Sequence, residues 1–167
     1  MLRFILSSLS FMEANAIIMY TDGSCNPKHG IGAWASLLFI EDRKVVLTGT
    51  EEQTTHQRME LQAVIKSFEY LVQVNLIEQP VHVFTDSQYV VGIPDRIAKL
   101  KAGAFITKAG LTIRSADLLQ TLIHHIEILK PTFVKVKAHQ RDDANTSNRE
   151  VDRLARKFVR ERTENYT

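Results

Sequence analysis

Hydrophobic periodicity changes once along this chain of 167 residues, and that change restricts the fold class more than any other feature. Up to Glu51 the apolar residues come in short runs rich in strand formers: Ile17 to Asp22, which stops at Gly23-Ser24, then Gly32 to Ile40 and Lys44 to Glu51 around the polar Glu41-Asp42-Arg43. From Arg58 the spacing becomes helical. Leu61, Val64, Ile65, Phe68, Leu71 and Val72 recur on one face, predicting a helix from about Arg58 to Val74 with Thr54 or Thr55 as its cap. Val81 to Phe84 then reads as a fourth strand ending at Thr85-Asp86-Ser87, with a helix starting at Ser87. Ser115 caps a second long helix whose apolar face carries Leu118, Leu119, Leu122, Ile123, Ile126 and Leu129. Phe133 to Ala138 is a fifth strand, and the polar loop Gln140 to Asn148 leads into a charged last helix. The order βββαβαβα predicts one α/β domain, a five-stranded mixed sheet flanked by helices.

Composition narrows the function classes. The apolar share, 44%, suffices for a real core, and no apolar run approaches the roughly 20 residues of a membrane span. Net charge is only +2, so a nucleic-acid partner must be argued from where the charges sit. The single cysteine, Cys25, excludes an intramolecular disulfide and fits a reducing, cytoplasmic setting. Residues 1–14 loosely imitate a secretory signal, but a cut after Ala16 would enter the first strand. They are expected to be an N-terminal extension without fixed structure, with the folded domain over residues 15–165.

Four acids fall at special places. Asp22 ends the first strand, Asp86 ends the fourth, and Glu60 and Asp152 sit in the first turns of two helices. If strands one and four are adjacent and parallel, Asp22 and Asp86 lie together at the carboxyl edge of the sheet, where open α/β sheets bind ligands. Position alone leaves two readings open. The acids are ordinary turn and helix-start residues, or they converge and need cations to offset their repulsion. Hard oxygen donors without cysteine would select Mg²⁺ or Mn²⁺, and a pair of such ions suits a phosphodiester displacement.

The surrounding motifs favour the second reading. Tyr20-Thr21-Asp22-Gly23-Ser24, Arg58-Met59-Glu60-Leu61, Thr85-Asp86-Ser87-Gln88-Tyr89 and Asn148-Arg149-Glu150-Val151-Asp152-Arg153-Leu154-Ala155 occur in that order. Together they resemble type 1 ribonuclease H from about Ile17 to Arg160. The resemblance implies the RNase H-like fold and a hydrolase that cuts the RNA strand of RNA–DNA hybrids endonucleolytically, leaving 5′-phosphate and 3′-hydroxyl ends. It implies two Mg²⁺ ions per site, Mn²⁺ being an alternative, on a catalytic quartet of Asp22, Glu60, Asp86 and Asp152. His139, in Val136-Lys137-Ala138-His139, matches the family's mobile histidine, and an imidazole titrating near neutrality suits proton transfer.

The same resemblance assigns the substrate contacts. Cys25, Asn26, Gln57 and Gln88 would touch the minor groove, where a 2′-hydroxyl can be read by small polar groups, and Thr55 and Arg58 would lie near a DNA-phosphate pocket. Residues 92–115 carry Arg96, Lys99, Lys101, Lys108 and Arg114 against Asp95 alone, the electrostatic footprint of a phosphate-binding arm. Lys99, Lys101 and Lys108 are its candidate contacts. The chain departs from the family pattern in three places: the turn from Ser24 to Gly30 is short, His56 stands where asparagine is usual, and the arm has Leu100 and Phe105 in place of tryptophans. The hybrid is the expected partner of a monomer, with no membrane and no obligate protein partner. A non-catalytic binding module on this fold would have lost one of the four acids, and an exonuclease of the superfamily would carry Asp-x-Glu where this chain has Asp22-Gly23-Ser24.

Overall fold

The computed structural model describes residues 15–136 and 143–164, with the side chains of 143–145 left aside. Five strands, β1 (Ile17–Asn26), β2 (Ile31–Ile40), β3 (Arg43–Glu51), β4 (Val81–Thr85) and β5 (Thr132–Lys135), form one sheet in the order β3-β2-β1-β4-β5. The β1–β2 and β2–β3 pairs are antiparallel, whereas β1–β4 and β4–β5 are parallel, so the sheet is mixed as the element order predicts. The helices are α1 (His56–Gln73), α2 (Gln88–Val91), α3 (Ile97–Ala102), α4 (Ala116–Leu129) and α5 (Asp143–Glu164), with a 3-10 turn at Pro94–Arg96 before α3. None of the described helices is long and apolar enough to cross a membrane.

Alternation along β1 decides which helix sees which residue. Ile17 and Met19 join the core formed with α1 and α4, around Phe68, Leu71, Leu119 and Leu122. Tyr20 turns the other way, into a smaller cluster with Ala35, Leu37, Val151 and Ala155 beneath α5. Strand β4 splits identically: Val83 faces α1 and α4, while Phe84 stacks on Tyr20 at 5.0 Å on the α5 side. Helices on both faces let the central strand be buried throughout most of its length, and each fully covered side chain such as Phe68 contributes about 1.5–3 kcal/mol.

Several boundaries move from their expected places. Strand β1 does not stop at Gly23-Ser24 but runs on to Asn26, because its pairing with β2 continues through Asn26↔Ile31 after its pairing with β4 has ended at Tyr20↔Phe84. Helix α1 starts at His56, so Glu60 belongs to its second turn. The largest shift is at the last helix. It starts at Asp143 rather than after Asn148, since nothing between Asp143 and Asn148 is a glycine or proline that would break it, and Asp152 therefore lies in its third turn. Ser115 occupies the N-cap position of α4 but takes a left-handed φ of 59° and caps nothing with its side chain. Strand β5 ends at Lys135, and residues 137–142, including His139, lie outside the described residues, as does the N-terminal extension 1–14.

Candidate active site

The register of the parallel pair aligns two acids. Tyr20 pairs with Phe84, so Asp22 and Asp86 each lie two residues beyond a paired position, and both fall on the side of the sheet that Tyr20 and Phe84 share. That is the α5 side, and α5 contributes Asp152, whose neighbours Val151 and Ala155 anchor the helix on the sheet. Asp22, Asp86 and Asp152 line one cleft of about 410 Å³ together with Ser24, His56 and Arg156.

Gly23 explains how the fourth acid approaches from the opposite face. A Cβ at Gly23 would lie 2.3 Å from the Glu60 backbone nitrogen and 2.4 Å from the Met59 carbonyl carbon. Only glycine lets α1 descend this closely onto β1, and that descent sets Glu60 beside the strand ends. Glu60 is engaged on both oxygens: His56 Nε2 lies 3.2 Å from Oε1, and the Ser87 hydroxyl donates to Oε2 at 2.6 Å. The same hydroxyl accepts from the Val90 amide at 3.3 Å, so Ser87 joins the start of α2 to Glu60.

Electrostatics follow from this crowding. Asp22 is 7% exposed and its Oδ1 accepts from the Gly23 amide at 2.8 Å. Burial first, then the charge of Asp86 and more weakly that of Asp152, push its pKa up to about 8 against the lowering effect of the Gly23 amide. His56 is raised above the ordinary histidine value, chiefly by its hydrogen bond to Glu60. Asp152 Oδ1 accepts from Arg156 Nε at 2.6 Å, one helical turn away.

These contacts bear on whether the acids fit divalent ions. Among the described residues no three His, Cys, Asp or Glu side chains converge as they lie to hold a metal, with Glu60 turned to Ser87 and His56 and Asp152 turned to Arg156. The chemistry of the donor set nevertheless fits. Oxygen ligands without a thiolate match Mg²⁺ or Mn²⁺, and a cleft that drives Asp22 to about 8 calls for positive charge if all its acids are to ionise.

The expected substrate contacts divide into available and engaged groups. Cys25, half-buried, points its Sγ at the Thr54 carbonyl at 3.6 Å, and burial raises its thiol pKa. Asn26 Oδ1 accepts from the Lys28 amide at 3.1 Å, shaping the short turn. Thr55 caps α1 by accepting from the Arg58 amide at 3.3 Å, and Gln57 stands half-buried in the first turn of that helix. Arg58 spans two carboxylates, with Nε 3.0 Å from Glu51 Oε1 and a two-pronged contact to Asp117 at 3.1 Å on each prong. Gln88 Oε1 accepts from Lys135 Nζ at 2.5 Å. In the arm, Lys101 pairs with Glu127 of α4, whereas Lys99 and Lys108 line a cavity of about 630 Å³ with Arg96 over Leu100, Ile106 and Ile113.

Sequence reasoning placed His56 within Thr55-His56-Gln57 as a reader of 2′-hydroxyls rather than as a partner of Glu60, and it gave no role to Ser87 and Arg156. The last was legible as a cation four residues after an acid on a helix, and Ser87 as the residue following Asp86 at a helix start. His56 acquires its part only because α1 begins two residues before Arg58.

The family model for RNase H matches residues 14–160. A ribonuclease H of Caldicellulosiruptor saccharolyticus is 34% identical over 149 residues, covering 87% of this chain and 97% of the relative. One from Francisella tularensis subsp. novicida is 34% identical over 152 residues, covering 90% and 95%. Among solved structures, LC9-RNase H1, described as a type 1 RNase H with the type 2 active-site motif, aligns with a TM-score of 0.73 at 22% identity over 87% of this chain and 72% of that one. The foamy viral protease-reverse transcriptase in complex with RNA/DNA hybrid aligns with a TM-score of 0.68 at 18% identity, over 87% of this chain and 20% of its own. Both structural likenesses are likenesses of fold.

Proposed function

The chain belongs to the ribonuclease H family and is a nuclease that cleaves RNA endonucleolytically; from that premise we propose that it is of type 1 and hydrolyses the RNA strand of RNA–DNA hybrids at the Asp22, Glu60, Asp86 and Asp152 cluster, leaving 5′-phosphate and 3′-hydroxyl ends. The observation that supports this most is the shared register of Asp22 and Asp86, with Asp152 brought to the same cleft by α5. Asp22 and Asp86 would hold the more tightly bound of two Mg²⁺ or Mn²⁺ ions, since both extend from paired strands. Glu60 and Asp152 would complete the set by turning from Ser87 and Arg156. When bound, such ions supply electrostatic stabilisation of the attacking and leaving oxygens.

The chain's own groups do the rest. In the reaction a water oxygen bonds to phosphorus as the bond to the ribose 3′-oxygen breaks, and that oxygen leaves with a proton. His139 is the proposed carrier of that proton and an aid to product departure. The Gly23 amide holds Asp22 in place, so little reorganisation of that carboxylate is left for the reactive step, while Ser87 holds Glu60 until it turns to an ion. Cys25, Asn26, Gln57 and Gln88 are proposed to read the minor groove, Thr55 and Arg58 to lie near a DNA phosphate, and Lys99, Lys101 and Lys108 to follow the backbone. Cys25 is a free thiol, which supports a reducing, cytoplasmic setting, and a monomer suffices because one chain supplies all the proposed groups.

The test is a cleavage assay on matched RNA–DNA, RNA–RNA and DNA–DNA duplexes with Mg²⁺ or Mn²⁺. Cleavage confined to the RNA of the hybrid, with end analysis giving 5′-phosphate and 3′-hydroxyl, is the expected outcome. Equal cutting of RNA–RNA, or cutting without divalent ions, overturns the proposal.

A further inference from the structure

The arm folds into two facing walls. One is α3 with its preceding 3-10 turn; the other is a short hairpin closed by the Ile106↔Thr112 bridge and by the Thr107 amide, which donates to the Leu111 carbonyl at 2.7 Å. Ala104 and Phe105, both at left-handed φ, reverse the chain between them, and the Phe105 amide ties back to the Leu100 carbonyl at 3.0 Å. Phe105, the arm's one aromatic residue, is packed against the core rather than into the space between the walls. That space stays open as the cavity of about 630 Å³, within the ~300–1,000 Å³ range of small-molecule sites. Its chemistry is two-sided. Leu100, Ile106 and Ile113 supply an apolar floor, and Ile106 leaves 49% of its surface to solvent. Arg96 and Lys99 stand on one wall and Lys108 on the other, all exposed. Neither lysine makes an ion pair among the described residues, unlike Lys101, which turns to Glu127. Arg96 is held at the rim with its guanidinium 5.6 Å from the Tyr89 ring centre. Among the described residues no carboxylate and no aromatic ring lines the cavity, so it offers a metal no acid and a base no stacking platform. A ligand that satisfies both sides carries an anionic head on an apolar chain.

We propose that the arm cavity binds a free single-chain anionic amphiphile, of the class of medium-chain fatty carboxylates. Its chain lies over Leu100, Ile106 and Ile113, and its head sits between Lys99 and Lys108. Occupation withdraws those two lysines from a duplex, so the ligand competes with the hybrid. That consequence, unlike the site itself, rests on the arm contacts proposed above.

Titration calorimetry of the whole chain with octanoate, decanoate and dodecanoate, each below the concentration at which it self-associates, tests chain and head separately. Affinity is expected to rise about fourfold for each methylene that enters the cavity. Decanol, which keeps the chain but lacks the charge, should bind several-fold more weakly than decanoate. Methyl NMR of the same mixtures locates the ligand, with the Leu100, Ile106 and Ile113 signals expected to shift. Ile106→Trp fills the gap without touching a charge, and Ile106→Asp repels the head; each should abolish binding. Val46→Asp, at an exposed apolar position on β3, should leave it unchanged. An affinity indifferent to chain length or to head charge, shifts at other methyls alone, or equal effects of the Ile106 and Val46 substitutions overturn the site. So does binding that occurs only to anionic lipid vesicles. Competition is read as the dissociation constant of a dye-labelled hybrid without divalent ions. Saturating decanoate should raise it several-fold in the unsubstituted protein and leave it unchanged in Ile106→Trp. Ligand bound at the three methyls with that constant unmoved would keep the site and overturn the duplex contacts of Lys99 and Lys108, so the two failures are distinguishable.

Discussion

The carboxylate cleft and the basic arm are anchored in opposite ways. Asp22 and Asp86 extend from the paired residues Tyr20 and Phe84, and Glu60 is set by a backbone approach that only Gly23 tolerates. The arm is built from a three-residue turn and the six-residue α3, followed by Ala104 and Phe105 at left-handed φ angles of 48° and 58°. It is held to the body by Leu100, buried in the core, and by Ile97, Phe105 and Ile113 packed against it. The difference follows from what each region is proposed to do. Acids that position reacting oxygens need placement to fractions of an ångström, so they ride on the sheet and a long helix. Cations that attract phosphate act over a screening length of about 8–10 Å and tolerate short, less regular elements.

Substitution in the cleft should therefore be far costlier than in the arm. The largest expected effect is that of Asp22→Asn on cleavage. Removing a proposed metal ligand forfeits several kcal/mol of transition-state stabilisation, about a thousandfold or more in rate. Hybrid binding should survive or tighten as repulsion toward phosphate falls. Single-turnover rates and binding isotherms check both, and retained Mg²⁺-dependent turnover would break the comparison at its strongest point.

His139→Ala should cost roughly 10²-fold in turnover or less, within the range of a proton-transfer group, with metal affinity unchanged. A loss equal to that of Asp22→Asn would make His139 a ligand or a structural residue rather than a proton carrier.

The third expectation uses stability against pH. The folded pKa of Asp22, about 8, lies above its ordinary value of 3.8. Between those values the folded chain keeps a proton that the unfolded chain has released, so its contribution to stability is complete below pH 3.8 and is lost as pH rises through 8. The Tm of the metal-free protein should fall across that window, and Asp22→Asn should flatten the fall. Added Mg²⁺ should raise Tm more at pH 8 than at pH 5, because ion binding favours the ionised folded form. An equal rise at both values would show that the cleft is not under the charge stress described.

The smallest effects belong to the arm, and the structure ranks them. Lys99→Ala with Lys108→Ala should raise KM several-fold and flatten the salt slope by up to about 1.8, two phosphate contacts' worth. Lys101→Ala, whose lysine is paired with Glu127, should do less than either. If Lys101→Ala matches the double variant, the pairing with Glu127 yields readily to the duplex and the ranking fails.

Order and type of the elements were legible because hydrophobic period is local: it records which face of a strand or helix meets the core. The adjacency of Asp22 and Asp86 was legible for the same reason, since both lie at equivalent ends of parallel apolar runs. The position of Asp152 was read less well. Its placement in the cleft held, but its turn within the helix did not, because residues 143–148 form helix without an apolar stripe to announce it.

Which charged groups remain free to meet a substrate was decided only by the folded chain. Arg58 meets Asp117 across 59 residues of sequence, Gln88 meets Lys135 across 47, and Lys101 meets Glu127 across 26. Long polar side chains choose partners by distance in space, and no periodicity records that distance. The backbone pattern of this chain is thus written in its residues one element at a time, while its electrostatics exist only once sheet and helices have brought remote charges within a few ångströms of one another.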